Sequence, residues 1–242
     1  NEDTEYSGTL SASDVDGDSL TYSVTTSPSN GSLSLSSLSS SLSFDGTNDY
    51  VNMGNTSSLA IDGNVSISAW VKFSNFNNSL AAVMSIHSAT NGYAFEKTAT
   101  ANKLSFWVGD GSDDIEVTTN TLTANTWYLV VGTNDGSTSK IYVNGSLVNS
   151  TSQGNPSGPT GDFKIGIHSY ETTSSRYWNG NIDEVAVWND ALTAAEVTAL
   201  YNSGSGLGAS SNSGDYTSSA DLKGYWKFDE GSGTTLTDQT SN

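Results

Sequence analysis

Residues 41–54, SLSFDGTNDYVNMG, and residues 178–204, WNGNIDEVAVWNDALTAAEVTALYNSG, decide how this chain folds. The first reads as a strand into Phe44, a tight turn at Asp45-Gly46, and a second strand ending at Gly54. Asp suits such a turn because its carboxylate bonds the backbone a few residues on, and Gly because it accepts a positive φ. The second stretch alternates apolar and polar residues from Asn181 to Trp188, the period of a half-buried strand. Its period then changes. Thr193-Ala-Ala-Glu196 has capping-box spacing, in which hydroxyl and carboxylate each satisfy an otherwise open backbone N–H. Val197, Leu200 and Tyr201 follow on one face of a short helix, which Gly204 is expected to stop.

Between these stretches lie short apolar runs at hairpin spacing. Asn64 to Phe73 puts Val65, Ile67, Ala69 and Val71 on one face. Ala82 to Ser88, Tyr93 to Thr98, Lys103 to Asp110 and Ile115 to Thr119 follow. Trp127 to Gly132 is almost wholly apolar, which places it in the middle of a sheet. In KIYVNGSLV, Lys140 to Val148, Asn144-Gly145 separates two alternating runs, the signal of a two-residue type I′ hairpin. Phe163 to Ser169 and Asn181 to Trp188 complete an all-β sandwich, and the helix is expected to cover one open end of it.

The chain has 242 residues, enough for one large sandwich or two small domains, with no cysteine and hence no disulfide framework. No apolar run approaches the ~18 residues that span a bilayer. The formal charge of −18 argues against nucleic acid and against insertion into or adhesion to anionic membranes, which need a basic footprint. It fits solubility in a salty extracellular setting. Opening on Asn1, the chain reads as a piece of something longer.

The two deciding stretches resemble the opening and closing motifs of laminin-G-like domains in the concanavalin A-like lectin/glucanase superfamily. The resemblance spans residues 41–204 and implies a curved jelly-roll β-sandwich, most of whose relatives bind sugars while a minority hydrolyse them. Residues 1–36, with Asp14-Val-Asp16-Gly-Asp18 between two strand-like runs, resemble the first half of a cadherin-like repeat. Residues 37–204 form the expected sandwich. Residues 205–242 hold a linker and the phrase WKFDEGSG from Trp226, which in laminin-G-like domains usually stands at the start. Either it opens a second copy or it folds back as the missing first strand, which would cover an otherwise adhesive edge.

Sugar-cleaving relatives carry Glu-x-Asp-x-x-Glu on one strand, and their chemistry needs two carboxyls ~5–9.5 Å apart. No strand here has that spacing: Glu96 and Glu116 stand alone, and the adjacent Asp183 and Glu184 point to opposite faces. The expectation is therefore a non-catalytic protein. The resemblance implies a structural calcium held by Asp183, with Asp45 and Asp229 near it; Asp14, Asp16 and Asp18 form a second acidic triplet suited to calcium. The alternative for Asp45 is a side-chain turn, and for Asp183 a strand-end hydrogen bond.

Trp70, Trp127 and Trp188 read as core. Trp107 differs, because Leu104, Phe106 and Val108 take the apolar face and turn its indole the other way. It is either a platform for a sugar ring or a residue packed beneath a loop. His87, His168 and Tyr170 stand at strand ends leading into polar loops, and Arg176, the sole arginine, offers a planar fork to carboxylate, sulfate or paired hydroxyls. These residues make the candidate binding set. The expected role is a carbohydrate-binding module of a large secreted or surface-anchored bacterial protein, fixing it to a polysaccharide with calcium setting the loops. A module that adheres to a protein or cell-surface partner, and a spacer in a repeat array, are the alternatives.

Overall fold

A computed structural model describes residues 40–240, apart from residues 89, 100, 171, 172, 174 and 175. The cadherin-like resemblance of residues 1–36 lies outside the described residues. Two antiparallel sheets face each other. The back sheet runs β1 (Leu42–Asp45), β12 (Asn179–Trp188), β3 (Val65–Phe73), β8 (Trp127–Asn134), β9 (Thr138–Val143) and β10 (Ser146–Ser152), and β13 (Leu222–Trp226) also pairs with β12. The front sheet runs β2 (Val51–Asn52), β11 (Lys164–Ile165), β4 (Ala82–Ser88), β5 (Asn91–Lys97), β6 (Leu104–Asp110) and β7 (Asp114–Thr118). With one α-helix, α1 (Ala194–Tyr201), among the described residues, the fold is an all-β jelly-roll sandwich. None of its described helices is long and apolar enough to cross a membrane.

Alternation builds the core between the sheets. Val65, Ile67, Ala69 and Val71 of β3 are fully buried against Met84 and Ile86 of β4, Tyr93 and Phe95 of β5, and Phe106 and Val108 of β6. Each such side chain contributes about 1.5–3 kcal/mol by leaving water. β8 does lie inside its sheet, between β3 and β9. Its apolar run serves two cores, with Val130 facing the front sheet while Leu129 and Val131 face outward under the helix. Asn144 (φ 50°) and Gly145 (φ 78°) make the left-handed pair that joins β9 to β10.

The strands flanking Asp45-Gly46 sit in different sheets, β1 on β12 and β2 on β11, so the turn carries the chain across the sandwich. Three expectations need correction. The run Phe163 to Ser169 keeps ladder pairing only at Lys164–Ile165. Gly166 (φ 84°) bends the chain there, against the Phe44 ring, where an added Cβ would lie 2.3 Å from a ring carbon. The helix has its full capping box at Thr193 and Glu196 but ends at Asn202, which takes the left-handed conformation before Gly204 is reached. And α1 covers no open end: Val197 and Leu200 pack on Leu129, Val131, Tyr142 and Ala186 of the back sheet's outer face. Of the tryptophans, Trp188 is fully buried, Trp70 is half-buried and stacks on Tyr201 at 5.9 Å, and Trp127 is half-exposed with the Lys72 ammonium 5.1 Å from its ring.

β1 and β13 share one edge of β12, β1 on residues 179–182 and β13 on residues 185–188. Between them β12 bulges against β3, with Glu184 at φ 50°. The Tyr225 hydroxyl donates to the Glu184 carboxylate, which ties β13 to the bulge.

Candidate functional site

With Ile86, Tyr93, Phe95, Phe106 and Val108 turned inward, the period of two sends His87, Ala94, Glu96, Ser105 and Trp107 to the outer face of the front sheet. Register then sets who meets whom. His87 lies across from Gly92, and Gly92 across from Gly109, while Trp107 lies across from Ala94. The small residues leave room for rings. The Trp107 indole leans over Gly109, where a Cβ would come within 2.7 Å of it and 2.1 Å of the Thr90 carbonyl. Trp107 is only 8% exposed, with the His87 ring 4.5 Å from its own. Its place is therefore beneath the surface layer, supporting His87.

His168 and Tyr170 reach this face because two serines fasten their segment to β4. The Ser85 hydroxyl donates to the Ile167 carbonyl (3.3 Å) and accepts from the Ser169 N–H (2.6 Å). The His87 N–H donates to the Ser169 hydroxyl (2.9 Å), which donates back to the His87 carbonyl (3.1 Å). Side chains thus hold the segment beyond the bend at Gly166 folded back along β4.

The two imidazoles meet edge to face, with ring centroids 4.0 Å apart and Nε2 atoms 2.5 Å apart. Burial, then the charges of Arg176 and Lys164, lower the His168 pKa to about 4. That shift favours the neutral imidazole at pH 7, with the Glu96 Oε2 atom 3.5 Å from His168 Nε2. The Lys164 ammonium donates to the Ser169 carbonyl at 3.5 Å. Tyr170 is 60% exposed, 6.3 Å from the His87 ring, and Arg176 is half-buried on the same side. The arrangement offers an exposed aromatic ring, an imidazole backed by an indole, and cationic donors, all on a shallow surface.

All of Trp107, His87, His168, Tyr170 and Arg176 thus come to one place. Glu96 belongs there too, and only its strand parity with Ala94 pointed to it. The bonds of Ser85 and Ser169 had no local signal, since they join positions over 80 residues apart.

The acidic residues that the resemblance assigns to calcium make the following contacts within the protein. The Asp45 carboxylate accepts from the N–H groups of Thr47 (2.7 Å) and Asn48 (3.4 Å), a turn of its own. Asp183 is buried and accepts from the Glu184 N–H at 2.9 Å, and Asp229 is exposed. Among the described residues no three His, Cys, Asp or Glu side chains gather to hold a metal ion. Asp14, Asp16 and Asp18 lie outside the described residues.

No curated protein matches the chain significantly. Solved structures resemble its fold at low identity. A protein from Bacteroides ovatus, described as a provisional carbohydrate binding protein, is 19% identical over 82% of this chain and 56% of its own, with a TM-score of 0.59. Domain 4 of AbnA, an extracellular arabinanase of Geobacillus stearothermophilus solved with arabinotriose, is 19% identical over 66% of this chain and 75% of its own, at a TM-score of 0.54. A native SAP-like pentraxin from Limulus polyphemus is 17% identical over 66% of this chain and 80% of its own, at 0.53. Residues 45–198, more than half of the chain, match the Laminin_G_3 family model, and on that match the protein belongs to the concanavalin A-like lectin/glucanases superfamily.

Proposed function

We propose that this domain is a non-catalytic carbohydrate-binding module of a secreted or surface bacterial protein, and that it holds a polysaccharide on the outer face of the front sheet. The observation that carries the reading is the convergence there of Tyr170, His87, His168 and Arg176 over Trp107. Sugar rings stack on aromatic faces, and guanidinium donors fix their hydroxyls. Glu96 and Glu116 sit on β5 and β7 with β6 between them and two residues out of step, and neither belongs to a Glu-x-Asp-x-x-Glu pattern on one strand. The arabinanase domain solved with arabinotriose and the Bacteroides ovatus protein support the reading as relatives in fold.

A glycan array of plant and algal polysaccharides, run with calcium and again with chelator, tests it. Expected is binding to one polysaccharide class, lost in Tyr170→Ala and Arg176→Ala, and weakened in Trp107→Ala as His87 loses its support. Calcium dependence would assign a role to Asp183, Asp45 and Asp229, or to Asp14, Asp16 and Asp18. No glycan bound in either condition overturns the proposal and leaves adhesion to a protein partner.

A further inference from the structure

At one end of the sandwich, the connection from β2 to β3, the turn after β12 and the start of β13 border a depression of about 370 Å³. It shares no residue with the outer-face site. Ser57, Ser58, Asp62, Asn64, Asn189 and Lys223 wall it. Ile61, itself buried, lies at its base, and an added Cβ at Gly63 would meet nothing within 4 Å. The volume falls in the lower part of the ~300–1,000 Å³ range of small-ligand sites.

The polar groups of the wall are not used up within the fold. Elsewhere Asp45, Asn52, Asn75, Asp110 and Asp135 turn their side chains onto nearby backbone N–H groups. The side chains of Ser57, Ser58, Asp62, Asn64 and Asn189 have no hydrogen-bond partner among the described residues. They are left to water, which a ligand displaces at little cost when it reproduces the same bonds.

Their chemistry selects the ligand. Asp62 only accepts, Lys223 only donates, and the serines and asparagines do both. An anion would be opposed by Asp62 and a cation by Lys223. A neutral group that donates and accepts from every position, as the hydroxyls of a sugar do, is matched by both. We infer that this depression is a second, independent binding site for one neutral saccharide unit, held by Asp62, Asn64, Asn189 and Lys223. It does not rest on the outer-face reading.

The test is amide NMR of the uniformly ¹⁵N-labelled full chain, titrated with methyl glycosides of neutral hexoses and pentoses and, separately, with methyl glucuronide. Expected are saturable shifts of the Gly63, Asn64, Asn189 and Lys223 amides with a neutral glycoside, and weaker shifts with the glucuronide. Asp62→Ala with Asn64→Ala, both exposed positions, should weaken that binding about tenfold or more, as expected for lost sugar hydrogen bonds. The Ser88 and Tyr170 amides report the outer face separately, so failure of one site is distinguishable from failure of the other. No shift at the depression with any glycoside, undiminished shifts in the double variant, or binding of the glucuronide alone would each overturn the inference.

Discussion

On the outer face of the back sheet, Leu129, Val131, Tyr142 and Ala186 are buried beneath Val197 and Leu200 of the helix, with Ala209 and Tyr216 of the segment that follows it. On the outer face of the front sheet the covered residues are His87, Glu96 and Trp107, beneath a segment fastened by Ser85 and Ser169. The first cover is apolar and non-directional, so many side-chain combinations would serve it. The second is polar and directional, and depends on a few bonds in particular geometry. One face of the same sandwich is closed by an apolar cover, and the other is the face proposed for binding.

The back cover is also locked at its rim. Glu196 Oε2 accepts from the Thr193 N–H and hydroxyl, both at 2.9 Å. Its Oε1 accepts from the Thr217 N–H (3.2 Å), the Thr217 hydroxyl (3.1 Å) and the Ser218 hydroxyl (2.5 Å). One carboxylate thereby caps the helix and holds the following segment to it. Trp188 works from below, its indole N–H donating to the Tyr216 hydroxyl (2.9 Å), which donates to the Ala209 carbonyl (2.7 Å).

The contrast breaks first, and hardest, at Trp188. Trp188→Ala should cost about 3–5 kcal/mol in urea unfolding, the range for emptying a buried indole site. A loss below about 1 kcal/mol would mean that the helical cover is dispensable, and the two faces would not differ as described.

Glu196→Gln should cost about 1–3 kcal/mol at pH 7, because charge-assisted bonds become neutral ones. Burial would raise the pKa of Glu196, but the hydrogen bonds from Ser218, Thr193 and Thr217 outweigh it and hold the value at about 2. A folded-state pKa below the ordinary 4.5 stabilises fully above that value, and the contribution is lost as pH falls toward about 2. Thermal melts of both proteins should therefore converge between pH 4.5 and 2. An unchanging gap would refute the role of the charge.

On the front face the expected effects on stability are smaller. His168 is held neutral with a pKa of about 4 against an ordinary 6.5, so the unfolded chain binds a proton that the folded one refuses. Stability from this group is full above 6.5 and falls as pH drops toward 4, among His87, Glu96, Lys164 and Arg176. His168→Gln should flatten that slope, and a slope unchanged in melts across this window would place its origin elsewhere. Tyr170→Ala, at 60% exposure, should leave stability within about 0.5 kcal/mol while reducing glycan binding. A large drop in melting temperature would make Tyr170 part of the cover instead of the binding surface.

Much of the fold could be read locally. The parity of Val65, Ile67, Ala69 and Val71, the Asn144-Gly145 hairpin and the Thr193–Glu196 box each depend on residues within a few positions of one another. The helix end was misread because Asn202 also tolerates the left-handed conformation, and its side chain bonds the Gly206 carbonyl at 3.1 Å. The strand from Phe163 to Ser169 was overextended because the Phe44 ring that occupies the space at Gly166 comes from the other end of the chain. Parity turned Trp107 away from the core, but its depth beneath His87 follows from the room left by Gly109 two residues along its own strand and by Gly92 across from Gly109.

By itself, then, the sequence determined which segments are strands, which way each side chain alternates and where the helix begins, since those depend on short-range sterics and capping. Only the tertiary structure decided that the helix lies on a sheet face, and that His87 and His168, 81 residues apart, share a site. Such meetings depend on strand order and register, and a shift of one residue in register would turn His87 into the core and leave His168 without its neighbour.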